Sequence, residues 1–441
     1  MKGSKKMKAL KRAACLTVAG LMCFATACSG KTPSDSSSDD GGNKVNKADF
    51  PLFVEDYESL TYSESDYLAN MSAPYWKSNV VYNEITLPLL YEDGTAYAKL
   101  NYKPLRVVSV LDQQLKKTYV EGTDYIVDAA NKRLVIPEGS SIPLLYEKAD
   151  EGVNPPDGIT LDTVGPLPSM TSYVVWDIGN GPFAYTEGPY FYPKYLSVTY
   201  AYDIEQVDQS YFAKYDKFNL TKVRQKLENG EDISLVTLGD SITQGCSSTG
   251  DILNIDPSTP CYAKQLKAEL ERLYGVNVNL YNGGVGGKKS DYPMSPDGAA
   301  VLAEAKRATP DLCVIAFGMN DMSDEVEAVE FDYNIRAIMT EIKNVSPDCE
   351  FILVNSFPCN PRYEKSGDYF TKYLGKLNAI ASENEDGSVA VLDMQKVGKY
   401  YLDSGRKYCE ISSSNVNHPN DFMHRIYAMN LSSLICDYKN K

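Results

Sequence analysis

Histidine and tryptophan are scarce in this chain, which has only two of each among 441 residues. Any chemistry that requires an imidazole must therefore use His418 or His424. Basic residues are also in the minority, with 44 Lys and Arg against 59 Asp and Glu, for a net charge of −15. Because Lys and Arg drive binding to phosphate backbones, this balance disfavours a nucleic-acid-binding function, and no nucleic acid is expected as a partner.

Zinc-type cysteine spacing and long apolar runs are missing as well. None of the ten cysteines forms a C-x-x-C pair, so we predict no metal site, and no cofactor is expected. Seven cysteines follow Cys28, an odd number, and no disulfide is predicted among them.

Hydrophobic residues make up 43% and charged residues 23%, which excludes a disordered, fibrous or polytopic membrane protein. At about 150 residues per domain, the length predicts two to three domains.

The first 27 residues are typical of an export signal peptide. Six Lys and Arg residues within positions 2–12 precede an uncharged run at 13–27, which is too short for an ordinary membrane span of about 20 residues. Small residues before Cys28 resemble a bacterial lipoprotein signal, although Ala25-Thr26-Ala27 also fits plain secretion. The polar stretch at 28–48 is predicted to be a flexible tether. We therefore expect an exported protein on the bacterial cell surface, in contact with the membrane only through a lipid on Cys28.

Residues 49–218 are predicted to form an all-β sandwich or jelly roll, because short alternating runs are broken by Gly, Pro, Asn and Asp. Twenty of the 33 tyrosines lie between residues 50 and 215. They fit either a carbohydrate-binding surface or ordinary half-buried sheet positions, and we favour the second for most of them. Tyr185, Tyr190, Tyr192 and Tyr195 are the exception, since they lie in a Gly- and Pro-rich loop.

Residues 219–441 change to apolar strands that alternate with helices of ten or more residues. Predicted strands cover 233–238, 276–281, 312–317, 351–354 and 389–392, and a last helix is predicted at 424–438. This alternation predicts an α/β fold, a parallel sheet with helices on both faces. In such folds, ligands bind at the carboxyl ends of the strands.

Chemically suggestive residues follow four of these segments. The first strand leads into Gly239-Asp240-Ser241, the second into the glycine-rich turn at 282–287, the third into Gly318-Met319-Asn320-Asp321, and the last toward His418-Pro419. A serine hydroxyl becomes a nucleophile when an imidazole takes its proton. Glycine N–H groups and an asparagine amide can stabilise the resulting oxyanion.

These four blocks, in this order, resemble the SGNH (GDSL) hydrolases, a family of flavodoxin-like α/β fold. The resemblance covers about residues 230–441 and implies Ser241 as nucleophile and His418 as base. It further implies Gly287 and Asn320 as oxyanion donors. His424 is a weaker alternative base, because it is displaced from the family's position.

One position departs from the family, which normally has Asp three residues before the base, where this chain has Asn415. Three explanations stay open. A Ser241-His418 dyad is oriented by the Asn415 oxygen or by a backbone carbonyl, another acid such as Asp421 or Asp393 takes over, or the domain is catalytically weak. We favour the first, since some esterases of the family resemble such a dyad.

The order of regions resembles the two-domain carbohydrate acetylesterases, which combine a β-sandwich with an SGNH domain. This resemblance implies a serine esterase that removes O-acetyl groups from polysaccharide, and the acidic charge favours neutral glycans of the xylan or mannan type. The alternatives are a non-catalytic glycan-binding lipoprotein with a decayed domain, or an esterase or acetyltransferase that acts on cell-envelope polysaccharide. The glycan, the acetylated position and the oligomeric state do not follow from the sequence.

The lipid anchor is tested by growing cells with a fatty-acid analogue. We expect the wild-type protein to carry the label and the Cys28→Ser variant to carry none, because the thioether-forming cysteine is lost. Label on neither protein contradicts anchoring and favours plain secretion.

Overall fold

The computed structural model describes residues 50–153, 173–365 and 367–440 of the chain. The predicted signal peptide, the tether and Cys28 lie outside these residues. The described residues all belong to one compact unit, so the predicted boundary at 218/219 separates two kinds of secondary structure that pack together. Within this described part, no helix has the length and apolar character needed to cross a membrane.

The N-terminal region, up to residue 218, is built mainly of short strands. After helix α1 (Glu64–Asn70) come β1 (Val80–Thr86), β2 (Leu89–Leu90), β3 (Ala96–Lys99), β4 (Pro104–Asp112), β5 (Ile126–Asp128), β6 (Arg133–Val135), β7 (Leu145–Tyr146), β8 (Tyr173–Trp176), β9 (Phe183–Thr186) and β10 (Leu196–Tyr202). Their sheets have the orders β1-β10-β4, β5-β6-β3-β2-β7 and β8-β9. The region is β-rich, as predicted, with its strands in three sheets, whereas the predicted sandwich or jelly-roll arrangement stays a prediction. Eleven of its twenty tyrosines are buried, as expected for residues that fill sheet surfaces.

The C-terminal region alternates strands and helices. Its strands are β11 (Ile233–Gly239), β12 (Val278–Gly284), β13 (Leu312–Ala316), β14 (Glu350–Asn355) and β15 (Val389–Asp393), and its helices are α2 (Thr221–Glu228), α3 (Ser241–Gln244), α4 (Tyr262–Tyr274), α5 (Ala299–Arg307), α6 (Met319–Ser323), α7 (Ala328–Lys343), α8 (Tyr369–Glu383), α9 (Met394–Asp403) and α10 (Asp421–Ile435). All five strands are parallel, in the order β12-β11-β13-β14-β15. The predicted α/β fold is confirmed.

The strand order reverses beside β11, and this reversal determines where a site can form. The chain passes from β11 to β12 on one side and then crosses to β13 on the other side. Such a switch point opens a crevice at the carboxyl ends of the strands, because the flanking connections leave in opposite directions. The loops after β11, β12 and β13 all begin at this edge.

A buried charged cluster joins the two regions. The guanidinium of Arg406, only 3% exposed, pairs with Glu84 on β1 and with Glu410, whose Oε1 lies 3.1 Å from Nη1. It also donates to the Asn101 side-chain oxygen and to the Ile85 carbonyl oxygen, each at 2.9 Å. Glu84, Ile85 and Asn101 belong to the N-terminal region, whereas Arg406 and Glu410 follow α9 in the C-terminal region.

Removing this arginine is expected to destabilise the whole protein. Arg406→Ala leaves two buried carboxylates without their counterion, and breaking a buried pair in this way costs about 3–5 kcal/mol. The free energy of unfolding from urea denaturation measures the loss. The control is Arg307→Ala, because Arg307 is 77% exposed and pairs with Glu304 on the surface of α5. An equal loss in both variants would contradict the role of the buried cluster.

Candidate active site

Ser241 lies where β11 turns sharply into α3. The Asp240 carboxylate accepts the Ile242 N–H at 2.9 Å and so caps the short helix. A Cβ at Gly239 would lie 2.1 Å from the Thr243 hydroxyl and 2.5 Å from the Ala316 carbonyl oxygen, so a larger residue would force these segments apart. The close approach of these segments therefore requires glycine and presents Ser241 at the edge of the sheet.

His418 is paired with this serine. Its Nε2 lies 2.9 Å from the Ser241 Oγ, and the two residues are 6% and 5% exposed. Two serines hold the histidine backbone: Ser414 Oγ accepts the His418 N–H at 3.0 Å, and Ser412 Oγ donates to the His418 carbonyl oxygen at 2.7 Å. At this distance the imidazole can take the serine proton, which converts the hydroxyl into a nucleophile.

Gly287 and Asn320 face the same pocket as the serine. Gly287 has a φ of +72°, a left-handed conformation that favours glycine. The Asn320 amide donates one hydrogen to the Lys288 carbonyl oxygen at 3.0 Å, and its NH₂ group carries a second hydrogen. This arrangement suits both residues to stabilise an oxyanion formed at the carbon that Ser241 attacks.

A buried aspartate fixes the loop that carries Gly287. Asp321 on α6 accepts the Ser290 N–H at 3.1 Å and also its hydroxyl. Burial raises the pKa of Asp321 to about 6, although the hydrogen bonds from Ser290 oppose this shift. Together with the Asn320 contact, this ties the loop after β12 to the helix after β13.

The pocket around Ser241 has a volume of about 360 Å³. Residues of both regions line it: Trp176, Tyr185, Glu187, Ser241, Cys246, Gly286, Gly287, Asn320, Tyr363, Val416, Asn417 and His418. In the described part of the chain, no group of three or more His, Cys, Asp or Glu residues is arranged to hold a metal ion.

The structure brings together four of the five predicted catalytic residues but directs Asn415 elsewhere. The Asn415 amide donates to the carbonyl oxygens of Asp150, at 3.0 Å, and Ala184, at 2.8 Å. Its oxygen accepts from the Asn360 amide at 3.3 Å. The expectation that the Asn415 oxygen orients the imidazole is therefore corrected: this side chain is committed to the N-terminal region.

A carboxylate that the sequence analysis did not select lies beside the imidazole instead. Oε2 of Glu187, which follows β9, lies 3.4 Å from the His418 Nδ1. Tyr185 donates its hydroxyl hydrogen to the same carboxylate. Burial raises the pKa of Glu187, but His418 and Tyr185 outweigh burial and bring this pKa below its ordinary value. Glu187 is therefore ionised at neutral pH.

The alternative residues do not contact the Ser241-His418 pair. Asp421 accepts the Thr249 N–H at 2.9 Å, and Asp393 accepts the Asn355 amide at 2.8 Å. The His424 ring donates to the Cys246 carbonyl oxygen at 3.3 Å, and burial lowers its pKa to about 4. This imidazole is neutral and occupied elsewhere, so His424 does not serve as the base.

The pocket residues that the sequence analysis missed include Glu187, Trp176 and Tyr363. Two of them come from the N-terminal region, and no local pattern reveals which of its strands approaches the serine. The available signal was indirect: an acid is missing at position 415, and Glu187 lies within the tyrosine-rich loop that stood out from the alternating strands.

Comparison with known proteins finds a family match within the C-terminal region. Residues 237–426 match the GDSL-like Lipase/Acylhydrolase family. The matched segment contains the serine turn, the loops that carry Gly287 and Asn320, and His418. Residues 237–426 are therefore similar to the hydrolases of this family, and a β-rich region precedes them. No curated protein sequence matches the chain significantly.

Several solved structures are similar to part of this chain at low identity. A two-domain esterase active on acetylated mannans is 21% identical with a TM-score of 0.41, over 53% of this chain and 57% of its own. A variant of an acetyl xylan esterase from Geobacillus stearothermophilus is 18% identical with a TM-score of 0.35, over 45% and 93% of the two chains. A putative lipolytic G-D-S-L protein from Desulfitobacterium hafniense is 21% identical with a TM-score of 0.34, over 45% and 98%.

The assignment of the base predicts how Ser241 reacts with a fluorophosphonate probe. We expect wild type to be labelled at Ser241 and His418→Gln to be labelled at least about 10³-fold more slowly, because the hydroxyl loses its proton acceptor. Mass spectrometry of the labelled peptide measures the rate. His424→Gln is the matched control and should react at nearly the wild-type rate. Loss of labelling in His424→Gln alone would contradict the assignment.

Proposed function

We propose that the protein is a serine esterase that removes O-acetyl groups from polysaccharide. The single observation that carries the proposal is the 2.9 Å contact between Ser241 Oγ and His418 Nε2 in a pocket that also contains Gly287 and Asn320. A nucleophile, its base and two oxyanion donors are the groups that acyl transfer requires. The family match to acylhydrolases supports the same reaction class.

In the first half of the reaction, Ser241 Oγ attacks the acetyl carbonyl carbon while His418 Nε2 takes the hydroxyl proton. The N–H groups of Ser241 and Gly287 and the Asn320 amide stabilise the oxyanion. When the intermediate collapses, the bond to the sugar oxygen breaks and His418 returns its proton to that oxygen. The deacetylated sugar leaves, and the acetyl group stays on Ser241.

In the second half, His418 takes a proton from water, and the resulting hydroxide attacks the acetyl carbon. The bond to Ser241 breaks, the serine oxygen regains a proton from His418, and acetic acid is released, which loses its proton to water. The same base and the same oxyanion donors serve both halves, because each half passes through a tetrahedral intermediate at the same carbon.

Aromatic side chains in the pocket support a carbohydrate substrate. Trp176 packs edge-on against Tyr185, with ring centroids 4.7 Å apart, and Tyr363 lines the same pocket. Such rings offer apolar faces together with polar edges, which suit the mixed surface of a sugar. Trp176 also supplies the tryptophan that residues 220–441 lack.

The charge of the chain favours a neutral glycan. A net charge of −15 repels acidic polysaccharides, so acetylated xylan- or mannan-type glycans are the proposed substrates. In this proposal the enzyme is exported and acts at the bacterial cell surface, anchored through Cys28. No cofactor takes part in the proposed reaction.

Acetate release from a panel of acetylated glycans tests the function. We expect wild type to release acetate from acetylated xylan or mannan and Ser241→Ala to release essentially none, because the acyl acceptor is gone. The exposed Ser382→Ala, on α8, is the matched control and should keep full activity.

The panel also separates the rival functions. Binding of glycan without acetate release would contradict an esterase and indicate a binding lipoprotein. Release from acetylated peptidoglycan alone would overturn the proposed substrate and indicate an enzyme of the cell envelope.

A further inference from the structure

We propose that Glu187, supplied by the β-rich N-terminal region, is the positioning residue that orients His418 in the proposed esterase reaction. The inference rests on that proposed function. It assigns to another region of the chain the carboxylate that the SGNH domain lacks at position 415.

The first argument is the geometry at the second ring nitrogen of the histidine. Nδ1 of His418 is buried and makes no hydrogen bond among the described residues, while Glu187 Oε2 lies 3.4 Å away. A buried N–H without an acceptor costs free energy, and this cost favours a hydrogen bond to the nearby carboxylate. A small movement of Glu187 is enough to form that bond. Such bonds are often long or misaligned before substrate binds.

The second argument is that contacts with the loop before His418 hold the hairpin next to Glu187 in place. Its hairpin, β8 and β9, is fastened to the histidine loop by the Thr186 N–H, which donates to the Ser414 carbonyl oxygen at 3.2 Å. The Asn415 amide binds the Ala184 carbonyl oxygen on the same hairpin at 2.8 Å. A small apolar cluster of Val174, Phe183, Tyr185 and Val416 fills the space between hairpin and loop.

Asn415 is therefore part of the same arrangement. An amide at this position carries no charge with which to stabilise an imidazolium, but it can donate two hydrogen bonds. Both go to backbone carbonyl oxygens of the N-terminal region. Asn415, at the position where the family has an acid, thus holds the hairpin that places Glu187 near the His418 Nδ1.

The third argument is the charge of the groups around His418. Asp240, beneath the serine turn, is fully buried, and burial raises its pKa to about 7, although the Ile242 N–H and His418 lower it. His424 on α10 is neutral, and burial raises the pKa of the Cys246 thiol to about 12. Tyr185 stays protonated and donates to Glu187, because burial raises its pKa. Among these groups Glu187 is the one that is fully ionised at neutral pH.

An ionised carboxylate at Nδ1 has a defined task. It keeps the Nδ1 proton on the imidazole, leaves Nε2 free to accept the Ser241 proton, and stabilises the imidazolium that forms. No proton passes to Glu187 in this scheme. The nucleophile and base therefore belong to the hydrolase domain, and the orienting charge belongs to the preceding region.

Hydrolysis of p-nitrophenyl acetate by Glu187→Gln tests the proposal without dependence on the glycan. We expect kcat to fall by about 10³- to 10⁴-fold with little change in KM, as for the amide substitution in a serine protease triad. The acid limb of the pH-rate profile should move to lower pH, because the imidazolium loses a stabilising charge. Glu187→Asp, which keeps the charge on a shorter side chain, should recover part of kcat and the wild-type limb.

The matched control is Glu151→Gln. Glu151 is also a glutamate of the N-terminal region, and it pairs with Arg362 across the boundary at 2.9 Å without reaching the histidine. It should keep kcat within about threefold of wild type. Unchanged melting temperatures show that the Glu187 variants are folded. If Glu187→Gln keeps both kcat and the pH limb of wild type, Glu187 does not orient His418.

An independent readout separates failure of this inference from failure of the proposed function. The chain has only two histidines, so the ring signals of His418 can be assigned by NMR with the aid of His424→Gln. We expect the Nδ1 proton signal of His418 to move upfield and to exchange faster with water in Glu187→Gln, because its charged acceptor is lost, whether or not any acetate ester is cleaved. An unchanged Nδ1 proton signal overturns the inference, whereas inactivity of wild type on all acetate esters overturns only the proposed function.

Discussion

Both amide hydrogens of Asn415 are donated to backbone carbonyl oxygens of the β-rich region, and the arrangement of the candidate site depends on this contact. The side chain is buried, so water cannot replace a hydrogen-bond partner that is lost. Each such bond contributes about 1 kcal/mol, but leaving buried carbonyl oxygens unpaired costs about 1–3 kcal/mol. The contact therefore fixes the position of the histidine loop relative to the hairpin that precedes Glu187. The left-handed backbone at Asn415, with φ of 60°, is a conformation that asparagine tolerates well.

The other half of the site follows from the parallel sheet. Strands β11, β12 and β13 point in the same direction, so their following loops collect at one edge and place Ser241, Gly287 and Asn320 in one pocket. Short-range features complete the arrangement: Asp240 caps the helix that begins at Ser241, and Asp321 ties two of the loops together. None of these contacts requires the N-terminal region.

This division explains what could be predicted from the sequence. The apolar strands are a local pattern, and they predicted the α/β fold. The polar blocks that follow them resemble the SGNH hydrolases, and that resemblance implied Ser241, Gly287, Asn320 and His418. Glu187 could not be predicted in this way, because its position depends on how a two-stranded sheet packs against a loop more than 200 residues later in the chain. Helix α9 was also missed, since its start depends on the Asp393 side chain, which caps it. The last helix begins at Asp421 and not at His424, because Asn420 caps it with a bond to the Met423 N–H.

The buried Arg406 cluster and the Asn415 contact together limit how this architecture can be rearranged. An accessory region that merely holds substrate near an enzyme can be exchanged for another one, because the catalytic domain is complete without it. Here the interface between the two regions contains the buried Arg406 cluster, and the N-terminal region places Glu187 beside the His418 imidazole. Recombination with a foreign N-terminal region would expose Arg406 and remove the carboxylate beside His418 in a single step. The two regions are therefore expected to be inherited as a pair, and substrate range is expected to change through the pocket rim more readily than through exchange of the N-terminal region.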